Sequence, residues 1–342
     1  MKRIAKITVA LLLAVAMCFS LAGCYDEDLN WSAKYDDTEL PAGAYIYYLS
    51  IAYNEAASKV STEDEVLKSE IDGTPAETWI KNRADEYVNQ YFYIQNEMKR
   101  LGLEMTDEDY STCLQTTESY WNYFGTSFEK FGIAKTSFDI AYSQYNRMYL
   151  KVFNALYGEG GENEVPESEL RQHIEDDYYD YEYFSAPLTK TDDDNKSVDL
   201  TDEEKADLKE TLEKYKTKIE SGAMTVNDAA TDYALKAQKD STYQTGIKDE
   251  NGMQSSYMPD AFISAIKAMK EGDVEVVEST KYMIVLHRLP IKDDEDTLLE
   301  SSDNRSQLLL ELKNTEYADA VNAAAQSFEG VEWNQKVLNR YK

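Results

Sequence analysis

Fourteen glycines and six prolines are all that punctuate this 342-residue chain. An all-β sandwich reverses direction every few residues and needs turn formers at each reversal. The scarcity therefore points to long helices with a minority of strands. Helical patterning starts near Pro41, whose ring suits a first helical turn, and Tyr45, Leu49 and Tyr53 recur at one-turn intervals. From Ala76 to Leu101, Trp79, Ala84, Tyr87, Tyr91, Ile94 and Met98 share one broad face, and Gly102 stops the run. Thr106-Asp107-Glu108-Asp109 reads as an N-cap with acids in the first turn, opening a helix to Phe124. Gly125 and Gly132 mark a Phe-rich connection, and Thr136 starts a helix to about Tyr157.

The pattern changes after the Gly- and Glu-rich break at 158–164. A helix from Val165 to about Tyr178 leads into Tyr181-Glu182-Tyr183-Phe184-Ser185, which alternates as a strand does. Thr191 to Asp199 reads as a solvated loop. Leu208, Leu212, Tyr215 and Ile219 line an amphipathic helix ended by Gly222, and a shorter helix spans Val226 to Ala237. A polar loop runs to Tyr257. Phe262, Ile266 and Met269 then mark a helix before two strands, Val274 to Val277 and Tyr282 to Leu289. After an acidic linker, a helix from about Leu298 to Ala325 has an apolar stripe to bury, with the helical N-terminal region as its obvious partner. The fold class is α+β: a helical domain from the N-terminal region and the C-terminal helix, with a small α/β domain inserted.

Lys2, Arg3 and Lys6 precede an uncharged apolar stretch from Ile7 to Leu21, the layout of a secretory signal. That stretch is shorter than the ~20 apolar residues of a membrane span. Leu21-Ala22-Gly23-Cys24 resembles the lipobox of bacterial lipoproteins, in which the thiol receives a diacylglyceryl group and the peptide is cut just before it. The resemblance implies residues 1–23 as signal peptide, Cys24 as lipidation site, an acidic tether over 24–40, and a protein on the outer face of the cell membrane. The formal charge is −30. Losing residues 1–23 removes three cations and no acid, and such a field repels phosphate backbones, so nucleic acid is not an expected partner. Of the three cysteines only Cys113 would remain unmodified, which forbids an internal disulfide; it reads as a small buried residue.

Three stretches carry a wider resemblance. Val165-Pro166-Glu167-Ser168-Glu169-Leu170 runs through to Tyr178-Tyr179. Ile219-Glu220-Ser221-Gly222-Ala223 is followed by Asp228-Ala229-Ala230. Met258-Pro259-Asp260-Ala261-Phe262 precedes Met269-Lys270-Glu271-Gly272-Asp273-Val274 and Tyr282-Met283-Ile284-Val285-Leu286. In order and spacing they resemble PrsA- and SurA-type foldases, in which a parvulin-type prolyl isomerase domain is inserted into a helical chaperone domain. The resemblance implies a chaperone domain over 41–178, a parvulin-like domain over 179–291 and a returning C-terminal helix over 292–342. It implies unfolded or newly secreted polypeptides as partners, no cofactor, and Met258, Phe262, Tyr183 and Met283 as proline-pocket residues. Two departures bear on activity. Tyr183 and Met283 stand where parvulins place a histidine pair, and Thr245-Gly246-Ile247 is the nearest approach to their paired glycines. Isomerisation must lower a barrier of roughly 18–20 kcal/mol in a shaped, partly dry pocket. Without the histidines the expectation is weak or absent isomerase activity, and Met258 and Phe262 also read simply as core. The alternative function is a surface lipoprotein for solute capture or structural assembly.

Other constellations are weaker. His173 sits among Glu169, Glu175 and Asp176 and reads as solvent-facing; His287 reads as a strand-end surface residue. Two histidines so far apart disfavour a His-based metal site. Asp192-Asp193-Asp194-Asn195 lacks the spacing, Gly and distal Glu of an EF-hand loop, leaving only loose calcium association. Tyrosines at several helical angles (Tyr45, Tyr47, Tyr48, Tyr53, Tyr91, Tyr93, Tyr120, Tyr123) cannot all point inward; most read as core and a few as groove.

Overall fold

The computed structural model describes residues 30–60, 63–238 and 240–340; the expected signal segment 1–23 and Cys24 lie outside them. The chain divides into two compact units, residues 1–164 with 313–342, and residues 165–312. The expected boundaries at 178/179 and 291/292 therefore fall inside the second unit. The fold is α+β.

In the first unit, β1 (Trp31–Tyr35) and β2 (Thr38–Pro41) form a hairpin, and Glu332–Trp333 pairs with the other edge of β1. This corrects the expected tether over residues 31–40, which form a hairpin instead; residues 24–29 lie outside the described residues. Asp36 takes a left-handed turn (φ 50°), so an acidic pair that reads as solvated linker reverses the chain instead. Ser32, Ala33 and Leu40 are buried. The strand that completes this sheet lies at the far end of the sequence, out of reach of local patterning.

Helix α1 (Ala42–Ser58) follows Pro41 directly and packs on α2 (Ala76–Arg100). Helix α3 (Asp107–Lys130) opens with a capping box in which the Thr106 side chain accepts from the Asp109 N–H and Asp109 accepts from the Thr106 N–H. It does not stop at Gly125. The Trp121 ring lies over that glycine, where an added Cβ would meet Nε1 at 2.6 Å. Close packing, not chain reversal, is what this glycine serves.

The expected helix from Thr136 is interrupted. A π-helical segment, Asp139–Gln144, separates Lys135–Phe138 from α4 (Tyr145–Tyr157). Within it the buried Asp139 carboxylate accepts from the Thr117 hydroxyl (2.7 Å) and the Gln144 amide (2.6 Å), a placement that accompanies the bulged turn. Residues 313–326 of α5 (Ser302–Gln326) belong to this unit. Tyr317 is buried against Tyr149, Phe153 and Tyr157, and Gln90 donates to Asn322 at 2.7 Å.

The second unit is built on a four-stranded antiparallel sheet. The strands are β3 (Tyr178–Pro187), β4 (Gln244–Asp249), β5 (Val274–Glu278) and β6 (Tyr282–Leu289), in the order β4-β3-β6-β5. Side chains alternate across such a sheet, and here both faces are covered. Phe184, Ala186, Met283 and Val285 pack on Leu212, Tyr215 and Ile219 of the helix Asp202–Glu220 and on Val226, Ala229 and Ala230 of Val226–Ala237. Tyr181, Ile284 and Leu286 pack on Met253 of Glu250–Ser255 and on Phe262, Ile263 and Ile266 of Asp260–Ala268. The expected loop at 191–199 is the return arm of a small hairpin, Thr189–Thr191 with Ser197–Asp199.

Candidate functional site

The four proline-pocket candidates do not converge. Tyr183, Met258 and Phe262 lie together on one face of the sheet, whereas Met283 is buried in the cluster on the opposite face. The cause is register: Leu286 stands opposite Tyr183 in β6, and Met283 stands opposite Ala186. One residue along, Ile284 occupies the Phe262 face. A one-residue offset sends a strand side chain through the sheet, and an apolar strand on both faces leaves no sequence signal of which residue points where.

Phe262 is fully buried. Its ring meets Tyr181 and Tyr183 edge-on, each at 5.2 Å between centroids. Phe262 is thus enclosed by the protein's own aromatics, an arrangement that contributes several kcal/mol of burial. Tyr181 was not singled out by the sequence. It is fully buried with no hydrogen-bond partner for its hydroxyl, and burial pushes that phenol up to about 12. Gly246 lies opposite it in β4, and a Cβ there would approach the Tyr181 hydroxyl to 2.8 Å.

Neither histidine faces open solvent. His287 is directly opposite Glu182 across β6 and β3, its Nδ1 2.9 Å from Glu182 Oε1, while the Tyr243 hydroxyl donates to Oε2 at 2.8 Å. The His287 hydrogen bond holds the Glu182 carboxyl below its usual range, against burial that would raise it. His173 is clamped between Asp177 (Nδ1, 2.9 Å) and Glu311 (Nε2, 2.9 Å), with its side chain only 14 % exposed. The partner Glu311 is far downstream, so a local reading saw only the acids of its own helix. Tyr178 also donates to Glu311, at 2.9 and 3.2 Å; burial and then this carboxylate push its phenol up.

His173, Asp177, Tyr179, Glu250 and Lys267 border a cavity of about 680 Å³. A groove of about 460 Å³ shares Asp249, Asn251 and Glu311 with it and runs along Ile247–Asp249 past Leu298, Asn304 and Leu308. Among the described residues no group of three or more His, Cys, Asp or Glu side chains is arranged to hold a metal ion.

In the first unit the aromatic helices are mostly core. Tyr47, Phe128, Phe138 and Tyr142 form one contiguous cluster. Helix α3 is the exception. Of the eight large apolar side chains exposed among the described residues, four lie on it: Tyr110 (45 %), Leu114 (56 %), Tyr120 (39 %) and Tyr123 (84 %). Cys113, on the same helix, is buried, and burial raises its thiol. Among the described residues no helix is long and apolar enough to cross a membrane.

No protein-family profile and no curated protein matches the chain. Solved structures are similar to it at low identity. Foldase protein PrsA from Streptococcus pneumoniae str. Canada MDR_19A is 14 % identical over 80 % of this chain and 99 % of that one, with a TM-score of 0.39. Foldase protein PrsA from Lactococcus lactis is 13 % identical over 91 % and 99 %, with a TM-score of 0.36. PrsA from Bacillus subtilis is 15 % identical over 81 % and 93 %, with a TM-score of 0.31.

Proposed function

We propose that this chain is a lipid-anchored extracytoplasmic chaperone that binds unfolded secreted polypeptides and has little or no prolyl isomerase activity. The observation that carries the reading is the concentration of exposed aromatic and apolar side chains on α3. A single exposed Leu is ordinary, but half of such residues along one 24-residue helix gives α3 repeated apolar contacts for a bound chain. Tyrosine suits promiscuous contact because its ring is apolar and its hydroxyl adapts to whatever is presented. The anchor at Cys24 would hold this surface where secreted chains emerge, and the net charge of −30 would keep loaded molecules apart. Low isomerase activity follows from the closed Phe262–Tyr181–Tyr183 packing and from Tyr183 and Ile284 on that face, neither of which titrates near neutrality as a histidine would.

The test is suppression of aggregation of a chemically unfolded client. The protein at stoichiometric excess is expected to suppress it, and a Tyr110→Ser, Leu114→Ser, Tyr123→Ser variant to lose at least half of the effect while keeping its thermal midpoint. No suppression by the unmodified protein would overturn the reading. In a prolyl-peptide assay the rate is expected to stay near the uncatalysed one; parvulin-like turnover would contradict it.

A further inference from the structure

We infer that the outer edge of β4, with the groove beside it, docks an extended cationic polypeptide segment as an added strand. The inference rests on the polypeptide-binding reading above and assigns it a second contact. β4 is the terminal strand of its sheet and pairs only with β3. Among the described residues, no backbone group of Gln244 to Lys248 bonds to anything beyond that ladder. An edge of this kind presents alternate N–H and C=O groups outward, the template for strand addition.

The groove supplies what an incoming strand needs. The half-buried Ile247 and Leu298 offer apolar contact, and the buried Leu308 lies beneath them in the groove wall. The side-chain amides of Asn251 and Asn304 have no internal partner among the described residues, and each carries both a donor and an acceptor for a peptide group. Charge selects the occupant. Asp249 and Glu311 border both the groove and the adjoining cavity, to which Asp177 and Glu250 add two further carboxylates. Lys267 pairs with Glu250, and Lys248 lines the groove with its Nζ donating to the Ser256 hydroxyl, so two lysines offset two of the four carboxylates and a net negative charge remains. A basic side chain on the added strand would be drawn into this pocket and an acidic one repelled. A second copy of this chain, at −30, is disfavoured on the same ground.

Fluorescence anisotropy with the full chain tests this, using three labelled eight-residue peptides: alternating Lys-Val, alternating Glu-Val, and Lys-Val with its alternate amides N-methylated. The basic peptide is expected to bind at least tenfold tighter than the acidic one. N-methylation is expected to weaken it at least tenfold, as is an Asn251→Lys, Asn304→Lys variant, whose two positions are exposed and cost the fold little. Absence of saturable binding by the basic peptide, or binding indifferent to N-methylation or to the two lysines, overturns the inference. Aggregation suppression measured in parallel separates the two readings. Suppression without edge binding removes this inference alone, and edge binding without suppression removes the chaperone reading alone.

Discussion

Burial raises two aspartates alike, and their partners decide that they end on opposite sides of the ordinary value. Asp109 is almost wholly buried, which would raise its carboxyl. Hydrogen bonds from Lys151 (2.7 Å), the Thr106 N–H (2.9 Å) and Arg147 (2.5 Å) overcome that and hold it well below the usual carboxylate range. It also closes the capping box of α3. Its contribution is therefore present above the unfolded value of ~3.9 and is lost as pH falls through the lower folded value. Asp109→Ala is expected to cost about 3 kcal/mol in urea unfolding at pH 7, because two cations lose their partner along with the cap. Asp180 is the reverse case. Burial, reinforced by the neighbouring Asp294 carboxyl, pushes it up to about 7, and its Oδ2 has no hydrogen-bond partner. Between ~4 and about 7 the folded chain then binds more protons than the unfolded one, so stability falls as pH rises through that window. Asp180→Asn is expected to flatten this slope and raise the thermal midpoint at pH 8; an unchanged slope would refute the assignment.

At the scale of elements, helices with strong ends are legible. The run ending at Gly102 and the Thr106 cap were readable because their signals are local. Gly125 misled because a glycine inside a helix reads as a stop until the Trp121 ring above it is known. Gly125→Ala would gain up to ~1 kcal/mol in helix propensity but must displace that ring, which packs on Phe128 and Phe138. The expected net result is a loss of about 1 kcal/mol, read by chemical denaturation, with Trp121 fluorescence reporting the displaced ring. The sequence of β4 reads as loop for a related reason. Gln-Thr-Gly-Ile-Lys-Asp is polar and holds a glycine, so only its pairing with β3 makes it a strand. The site suffered most here. Of the four residues that the family resemblance groups, Tyr183, Met258 and Phe262 share one face of the sheet and Met283 lies on the other, because β6 is apolar on both sides.

For the molecule as a whole, charge is the dominant global term. A chain at −30 repels itself, and salt should relieve this. The thermal midpoint is expected to rise by a few degrees, roughly 1 kcal/mol, between 10 and 200 mM NaCl; a fall would mean that the ion pairs outweigh the net repulsion. Composition, charge, the α+β class and the order of the long helices follow from the linear chain, since periodicity and turn formers act over a few residues. Pairings between distant segments do not. Trp333 beside Ala33, Glu311 on His173 and Leu286 opposite Tyr183 each join segments that carry no mutual signal. One such register decides that Tyr183 and Met283 lie on opposite faces of the sheet, and tertiary packing alone sets Phe262 edge-on between two tyrosines.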